Sequence, residues 1–169
     1  EIHHLSAERS RPAEIENERI MSHASIHVID DEPVIRDVLE QLLQAEGYDV
    51  TLSESGEAAL SKFADHGFDL VLLDLLMPGR GGLEILPEIK KIQPSTIVII
   101  ITAYASVESA IQAMKIGAYD YVQKPFKHGD LLLTIQRALA HKTLLDENDR
   151  LREELRKKFS FSNILGRSR

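Results

Sequence analysis

Between Ser25 and about His141 the chain alternates short, unbroken apolar runs with longer stretches in which apolar residues recur every three or four positions. Ser25-Ile-His-Val-Ile29 is short and β-branched and predicts a strand. Asp30-Asp-Glu-Pro33 follows as a turn that opens a helix, with proline near the first helical position, where its missing N–H costs nothing. Val34, Val38, Leu39, Leu42 and Leu43 then form a stripe at helical spacing, and Gly47 ends it. The unit recurs, with strands predicted over 49–52, 68–73, 96–101 and 120–122. Helices are predicted over 55–64, 83–92, 107–116 and from Gly129 onward. Leu70-Val-Leu-Leu73 and Ile97-Val-Ile-Ile-Ile101 are continuous rather than alternating, as in strands buried on both faces of a parallel sheet. Five such β-α units imply a doubly wound α/β fold.

The two ends differ from this middle. Residues 1–24 are polar and aperiodic and are read as an N-terminal extension, with Met21 a candidate natural start. From Lys142 to Lys158 the chain is densely charged, with Leu144, Asn148, Leu151 and Leu155 spaced 4, 3 and 4, the seam of a short coiled coil. Asn148 falls at an a-type position of that seam, where a buried Asn favours a parallel, in-register dimer. The competing reading is a lone linker helix whose leucines fold back on the preceding domain. Six basic and five acidic residues in this stretch make it a mixed-charge helix, not a basic stripe for reading DNA.

Composition narrows the function classes. Apolar residues make up 43% of the 169, enough for a core. Lys and Arg total 20 against 27 Asp and Glu, a net charge of -7, which argues against nucleic-acid binding through the bulk field. The absence of cysteine excludes disulfides, zinc knuckles and thiol nucleophiles. No apolar run approaches the ~18 residues of a membrane span, and the first residues lack the apolar core of a signal peptide, so a cytoplasmic protein without membrane contact is expected.

In an open parallel sheet, ligands bind at the carboxyl ends of the strands. Asp30 and Asp31 follow the first predicted strand, Asp74 ends the third, Thr102 follows the fourth and Lys124 the fifth. Two carboxylates about 4 Å apart repel by ~4 kcal/mol at an effective dielectric near 20, so three in one pocket call for cations. Lys124 brings one positive charge and a divalent ion two. Oxygen ligands without His or Cys favour Mg²⁺, with Mn²⁺ as the alternative. A carboxylate nucleophile beside a metal, a lysine and a hydroxyl suits phosphoryl transfer.

These residues sit in four motifs: Val28-Ile-Asp-Asp-Glu-Pro33, Leu72-Leu-Asp-Leu-Leu-Met-Pro-Gly79, Ile101-Thr-Ala103 and Tyr119-Asp-Tyr-Val-Gln-Lys-Pro-Phe126. Their order and spacing resemble the receiver domain of bacterial two-component response regulators over 25–141, roughly seven-tenths of the chain. The resemblance implies a flavodoxin-like five-stranded sheet of order 2-1-3-4-5. It implies Asp74 as phosphoacceptor for a sensor histidine kinase, and a regulatory domain rather than a turnover enzyme. Asp30 and Asp31 would form the metal pocket, with Asp31, Asp74 and the backbone carbonyl of Leu76 as direct ligands. Thr102 would donate to the phosphoryl group, Lys124 would pair with it, and Tyr121 would be the aromatic switch that turns as Thr102 moves. The Lys124-Pro125 bond is expected cis, and Leu76 and Tyr104 are expected to flank the path of a hydrolytic water. Gly79, Gly81 and Gly82 are read as a flexible loop in preference to a phosphate cradle.

After the receiver-like region, 142–158 is read as a helical coiled-coil linker. Phe161-Ser-Asn-Ile-Leu-Gly-Arg-Ser168 resembles the opening of an AAA+ domain in sigma-54-dependent, NtrC-like activators, so 159–169 is read as the start of that output domain. Implied partners are a second copy through the C-terminal helix, the AAA+ domain and sigma-54 RNA polymerase. The rival reading is a Mg²⁺-dependent phosphatase with an aspartyl nucleophile. Its second, acid/base Asp would lie two residues beyond the nucleophile, where this chain has Leu76.

Overall fold

The structure is a computed structural model that describes residues 23–103 and 106–166. Five strands, β1 (Ser25–Ile29), β2 (Asp49–Ser53), β3 (Leu70–Leu73), β4 (Ile97–Thr102) and β5 (Asp120–Gln123), form one parallel sheet in the order β2-β1-β3-β4-β5. They alternate with α1 (Pro33–Ala45), α2 (Gly56–Phe63), α3 (Gly82–Ile92), α4 (Val107–Ile116) and α5 (His128–Gly166). This is the expected doubly wound, flavodoxin-like architecture.

Two cores follow from the pleat, which sends alternate strand residues to opposite faces. Ile26, Val28, Leu70, Leu72, Ile99 and Ile101 pack with Leu39 and Leu43 of α1 and with Leu131, Ile135 and Leu139 of α5. On the other face Ile29, Val71, Leu73, Val98 and Ile100 meet Ala59 and Phe63 of α2, Ile85 and Ile89 of α3, and Ala113 of α4. Burial on both sides is why β3 and β4 read as continuous apolar runs.

Several boundaries differ from the sequence expectation, each for a local reason. β3 starts at Leu70 because the Gln93 side-chain amide takes both the N–H (2.9 Å) and the carbonyl (3.0 Å) of Phe68. Thr96 belongs to a turn, its N–H donating to the Gln93 carbonyl at 3.2 Å. β4 extends to Thr102, whose carbonyl accepts from the Lys124 N–H at 2.9 Å. Val34 fits the helical stripe of α1 but is 70% exposed, and Ile35, about 100° further round the helix, packs against the core in its place.

α5 continues past the α/β unit as a single helix of 39 residues. Its start is fixed to the domain by Leu131, Ile135, Ala138 and Leu139, by a ring contact between Tyr119 and His141 (centroids 5.5 Å apart), and by a Lys142–Asp69 ion pair at 3.5 Å. Leu144, Leu151 and Leu155 are 66%, 46% and 66% exposed, so they do not fold back on the preceding domain. Helix continues through the residues read as the opening of an output domain as far as Gly166, and Arg167 to Arg169 lie outside the described residues, as do 1–22. Among the described residues no helix is long and apolar enough to cross a membrane.

His27 points into the second core, its ring centroid 4.3 Å from that of Phe68 and its Nε2 2.7 Å from Ser53 Oγ, while Nδ1 has no partner. Burial first, then the positive field of Lys62 and His66, lowers its pKa from 6.5 to about 3. An unfolded chain therefore binds a proton at this site below pH 6.5 that the folded chain refuses. The His27 contribution is fully present above pH 6.5 and falls as pH drops toward 3, by about 2 kcal/mol between pH 6.5 and pH 5. Urea unfolding at pH 7 and pH 5 should show this loss, and His27→Gln should show a pH dependence smaller by that amount. An unchanged pH dependence would exclude His27 as the linked group.

Candidate functional site

Asp30, Asp74, Thr102 and Lys124 are pinned by backbone bonds at the ends of the strand ladders. The Asp30 N–H donates to the Ser53 carbonyl at 3.1 Å and the Asp74 N–H to the Ile29 carbonyl at 3.0 Å, so both aspartates leave the sheet side by side. Their side chains are buried, Asp30 at 3% and Asp74 at 4% exposure, and Lys124 is buried with them. Lys124 Nζ donates to Asp30 Oδ2 at 2.6 Å and to Asp74 Oδ2 at 3.1 Å. The other oxygens are held locally: Asp30 Oδ1 accepts from the Glu32 N–H at 2.9 Å, and Asp74 Oδ1 from the Leu76 N–H at 3.1 Å. Asp31 is half-buried, and carboxylate oxygens of Asp30, Asp31 and Asp74 lie within 4.8 Å of one another. Thr102 is fully buried at the end of β4. The Lys124-Pro125 bond is cis.

The charge balance is unequal. Burial pushes the Asp30 carboxyl above its ordinary range, outweighing the pull of the Lys124 ammonium and the Glu32 amide. Burial also draws Lys124 down, but the hydrogen bond and charge of Asp30, together with Asp74, more than reverse it, so the lysine stays an ammonium. Lys124 thus brings one positive charge, paired with Asp30 and Asp74, to a pocket of three clustered carboxylates. The donor set is oxygen only, which fits a hard divalent ion such as Mg²⁺ and excludes none of the three aspartates as a ligand.

Tyr121 is half-buried against the second core, its hydroxyl 3.4 Å from Ser109 Oγ. Ser109 in turn belongs to the capping box that Ser106 makes at the start of α4. Leu76 is exposed at the mouth of the site, whereas Tyr104 lies outside the described residues.

Residues 26–136 match the response regulator receiver domain family. The chain belongs to that family. It is 42% identical over 128 residues to the transcriptional regulatory protein ZraR of Escherichia coli K12, covering 75% of this chain and 29% of that protein. It is 37% identical over 121 residues to the DNA-binding transcriptional regulator NtrC of Salmonella typhimurium, covering 72% and 26%. A CheY-like receiver domain structure from Methanospirillum hungatei superposes with a TM-score of 0.70 at 32% identity, covering 72% of this chain and 97% of that one. The chain therefore spans under a third of the length of these curated relatives and matches the receiver structure almost end to end. Receiver domains are regulatory modules of two-component systems, and the acidic pocket of this one has the makeup that such domains use for Mg²⁺.

Two features of this receiver's site were not visible along the sequence. Gly82 is a close approach rather than a flexible hinge: a Cβ there would lie 2.4 Å from the Asp74 carbonyl oxygen and 2.9 Å from Leu75 Cα. The first turn of α3 thus rests directly on the backbone of Asp74. Because the obstructing atoms are backbone, Gly82→Ala should destabilise the domain by about 1–3 kcal/mol, the usual cost of overpacking, read as a lower urea midpoint. An unaltered midpoint would mean that α3 can step back freely. The second feature is Glu32, whose Oε1 lies 3.6 Å from Lys124 Nζ; its periodic context reads as an ordinary helix-opening turn.

Proposed function

We propose that this chain is the receiver of a sigma-54-dependent, NtrC-like activator, a cytoplasmic switch in which Asp74 accepts a phosphoryl group from a sensor histidine kinase. The observation that carries the reading is the Asp74 carboxylate itself. It is buried at the carboxyl edge of the sheet, held by the Leu76 N–H and Lys124, and clustered with Asp30 and Asp31. In the transfer, an Asp74 oxygen bonds to phosphorus as the P–N bond of a phosphohistidine breaks, and the imidazole leaves with the electron pair. Lys124 exchanges part of its contact with Asp74 for the new phosphoryl oxygens. Thr102, at the end of β4, donates its hydroxyl to the same group, and Tyr121 follows that movement from the neighbouring strand.

Asp30, Asp31, Asp74 and the backbone carbonyl of Leu76 would hold Mg²⁺, or Mn²⁺ in its place; when bound, the ion neutralises charge on the transferring oxygens. The second part of the proposal concerns the linker. The exposed Leu144, Leu151 and Leu155, with Asn148 between them, form the seam of a parallel homodimer. Glu147 and Arg152 flank that seam at positions that meet across a parallel pair with opposite charge. Phosphorylation would then act on an AAA+ output domain and, through it, on sigma-54 RNA polymerase. The test is covalent labelling at Asp74 by a phosphodonor in the presence of Mg²⁺.

A further inference from the structure

Lys124 is shared by three carboxylates of unequal burial. Asp30 and Asp74 hold it from within, at 2.6 and 3.1 Å, while Glu32 Oε1 approaches to 3.6 Å from a side chain that is 57% exposed. Glu32 is kept there by its backbone. Its N–H donates to Asp30 Oδ1, its carbonyl accepts from the Arg36 N–H at 3.1 Å, and Arg36 Nη1 donates to the Asp30 carbonyl at 2.8 Å. These bonds hold the backbone of the turn beside the site, and the half-exposed Glu32 carboxylate lies where the buried lysine meets solvent.

We propose that Glu32 is a charge gate on the phosphoacceptor, a positioning residue that restrains phosphoryl transfer by drawing on Lys124 and repelling the incoming anion. This rests on the reading of Asp74 as acceptor. With acetyl phosphate, an Asp74 oxygen bonds to phosphorus, the phosphorus–oxygen bond to the acetyl group breaks, and acetate leaves with the electron pair, so no proton is needed. Repulsion by Glu32 scales with the donor's charge and weakens with distance and salt. Glu32 must therefore affect a dianionic donor more than a monoanionic one, a bias that mere loosening of the turn would not produce.

The experiment uses the full chain with saturating Mg²⁺ and follows phosphorylation by intact mass. The donors are acetyl phosphate, a dianion at neutral pH, and phosphoramidate, a monoanion. Glu32→Gln should accelerate transfer from acetyl phosphate by about three- to tenfold and from phosphoramidate by clearly less, and the gain should shrink as salt is added. Glu32→Asp, which keeps the charge, should keep the donor preference of the natural chain. The Glu32 side chain makes no cap hydrogen bond to α1, so these variants retain the helix start. Unchanged rates in Glu32→Gln, equal acceleration with both donors, or a Gln-like preference in Glu32→Asp would each overturn the gate. Failure of the unsubstituted chain to take a phosphoryl group would instead overturn the acceptor reading.

Discussion

Asp74→Asn should abolish covalent phosphorylation. The unsubstituted chain, incubated with a small-molecule phosphodonor and Mg²⁺, is expected to gain one phosphoryl mass, and the adduct should be cleaved by hydroxylamine as an acyl phosphate is. The variant replaces the nucleophilic oxygen with an amide nitrogen and leaves the surrounding backbone bonds, including Asp74 N–H to the Ile29 carbonyl, available. Chelation should also remove labelling, because the clustered carboxylates of Asp30, Asp31 and Asp74, with Lys124 paired to Asp30 and Asp74, cannot take on another anion without added positive charge. Full labelling of Asp74→Asn would show that the acceptor lies elsewhere.

Removal of the linker should convert a dimer into a monomer. Residues 1–169 are expected to scatter light as a dimer at roughly tens of micromolar, and a version ending at Ala140 as a monomer. The shorter chain keeps Leu131, Ile135, Ala138 and Leu139, which are the α5 residues buried in the receiver core, so its fold should survive. It loses the His141 and Lys142 contacts to the domain and the exposed Leu144, Leu151 and Leu155, and full burial of a leucine contributes about 1.5–3 kcal/mol. That gain is needed, because so short a helical repeat is marginal by itself. Monomers in both cases would exclude the coiled coil. Equal dimers in both cases would move the contact to the receiver, on the face of its fourth and fifth helices.

The parts of this molecule readable in one dimension are those governed by periodicity. Leu70-Val-Leu-Leu73 and Ile97-Val-Ile-Ile-Ile101 lie between two helical layers, so their lack of alternation reports the fold directly. Asp30, Asp31, Asp74, Thr102 and Lys124 were recognisable because a parallel sheet delivers its strand ends to one edge. The roles that escaped depend on what lies across space. His27 sits in a strand where a polar residue suggests solvent, yet Phe63 and Phe68 enclose it. Gly82 resembles loop punctuation until the Asp74 carbonyl is seen beneath it. Val34 satisfies the helical stripe but faces solvent, and the neighbouring Ile35 faces the core in its place. Strand limits moved where a side chain, that of Gln93, took over backbone bonds from the ladder.

The unbroken run of α5 makes residue count an angular variable. From Leu139, the last buried residue among those described, to Gly166 the helix projects about 40 Å, and each residue along it turns the far end by about 100° about the axis. Lys142 and His141 clamp the near end, so that rotation is referred to the receiver and not to a loose hinge. Adding or deleting one residue in this shaft would leave composition, charge and reach almost unchanged and still face the far end in a different direction. A seven-residue insertion would come back within about 20° of the original heading. The length of this helix therefore sets the heading of its far end relative to the domain, one residue at a time.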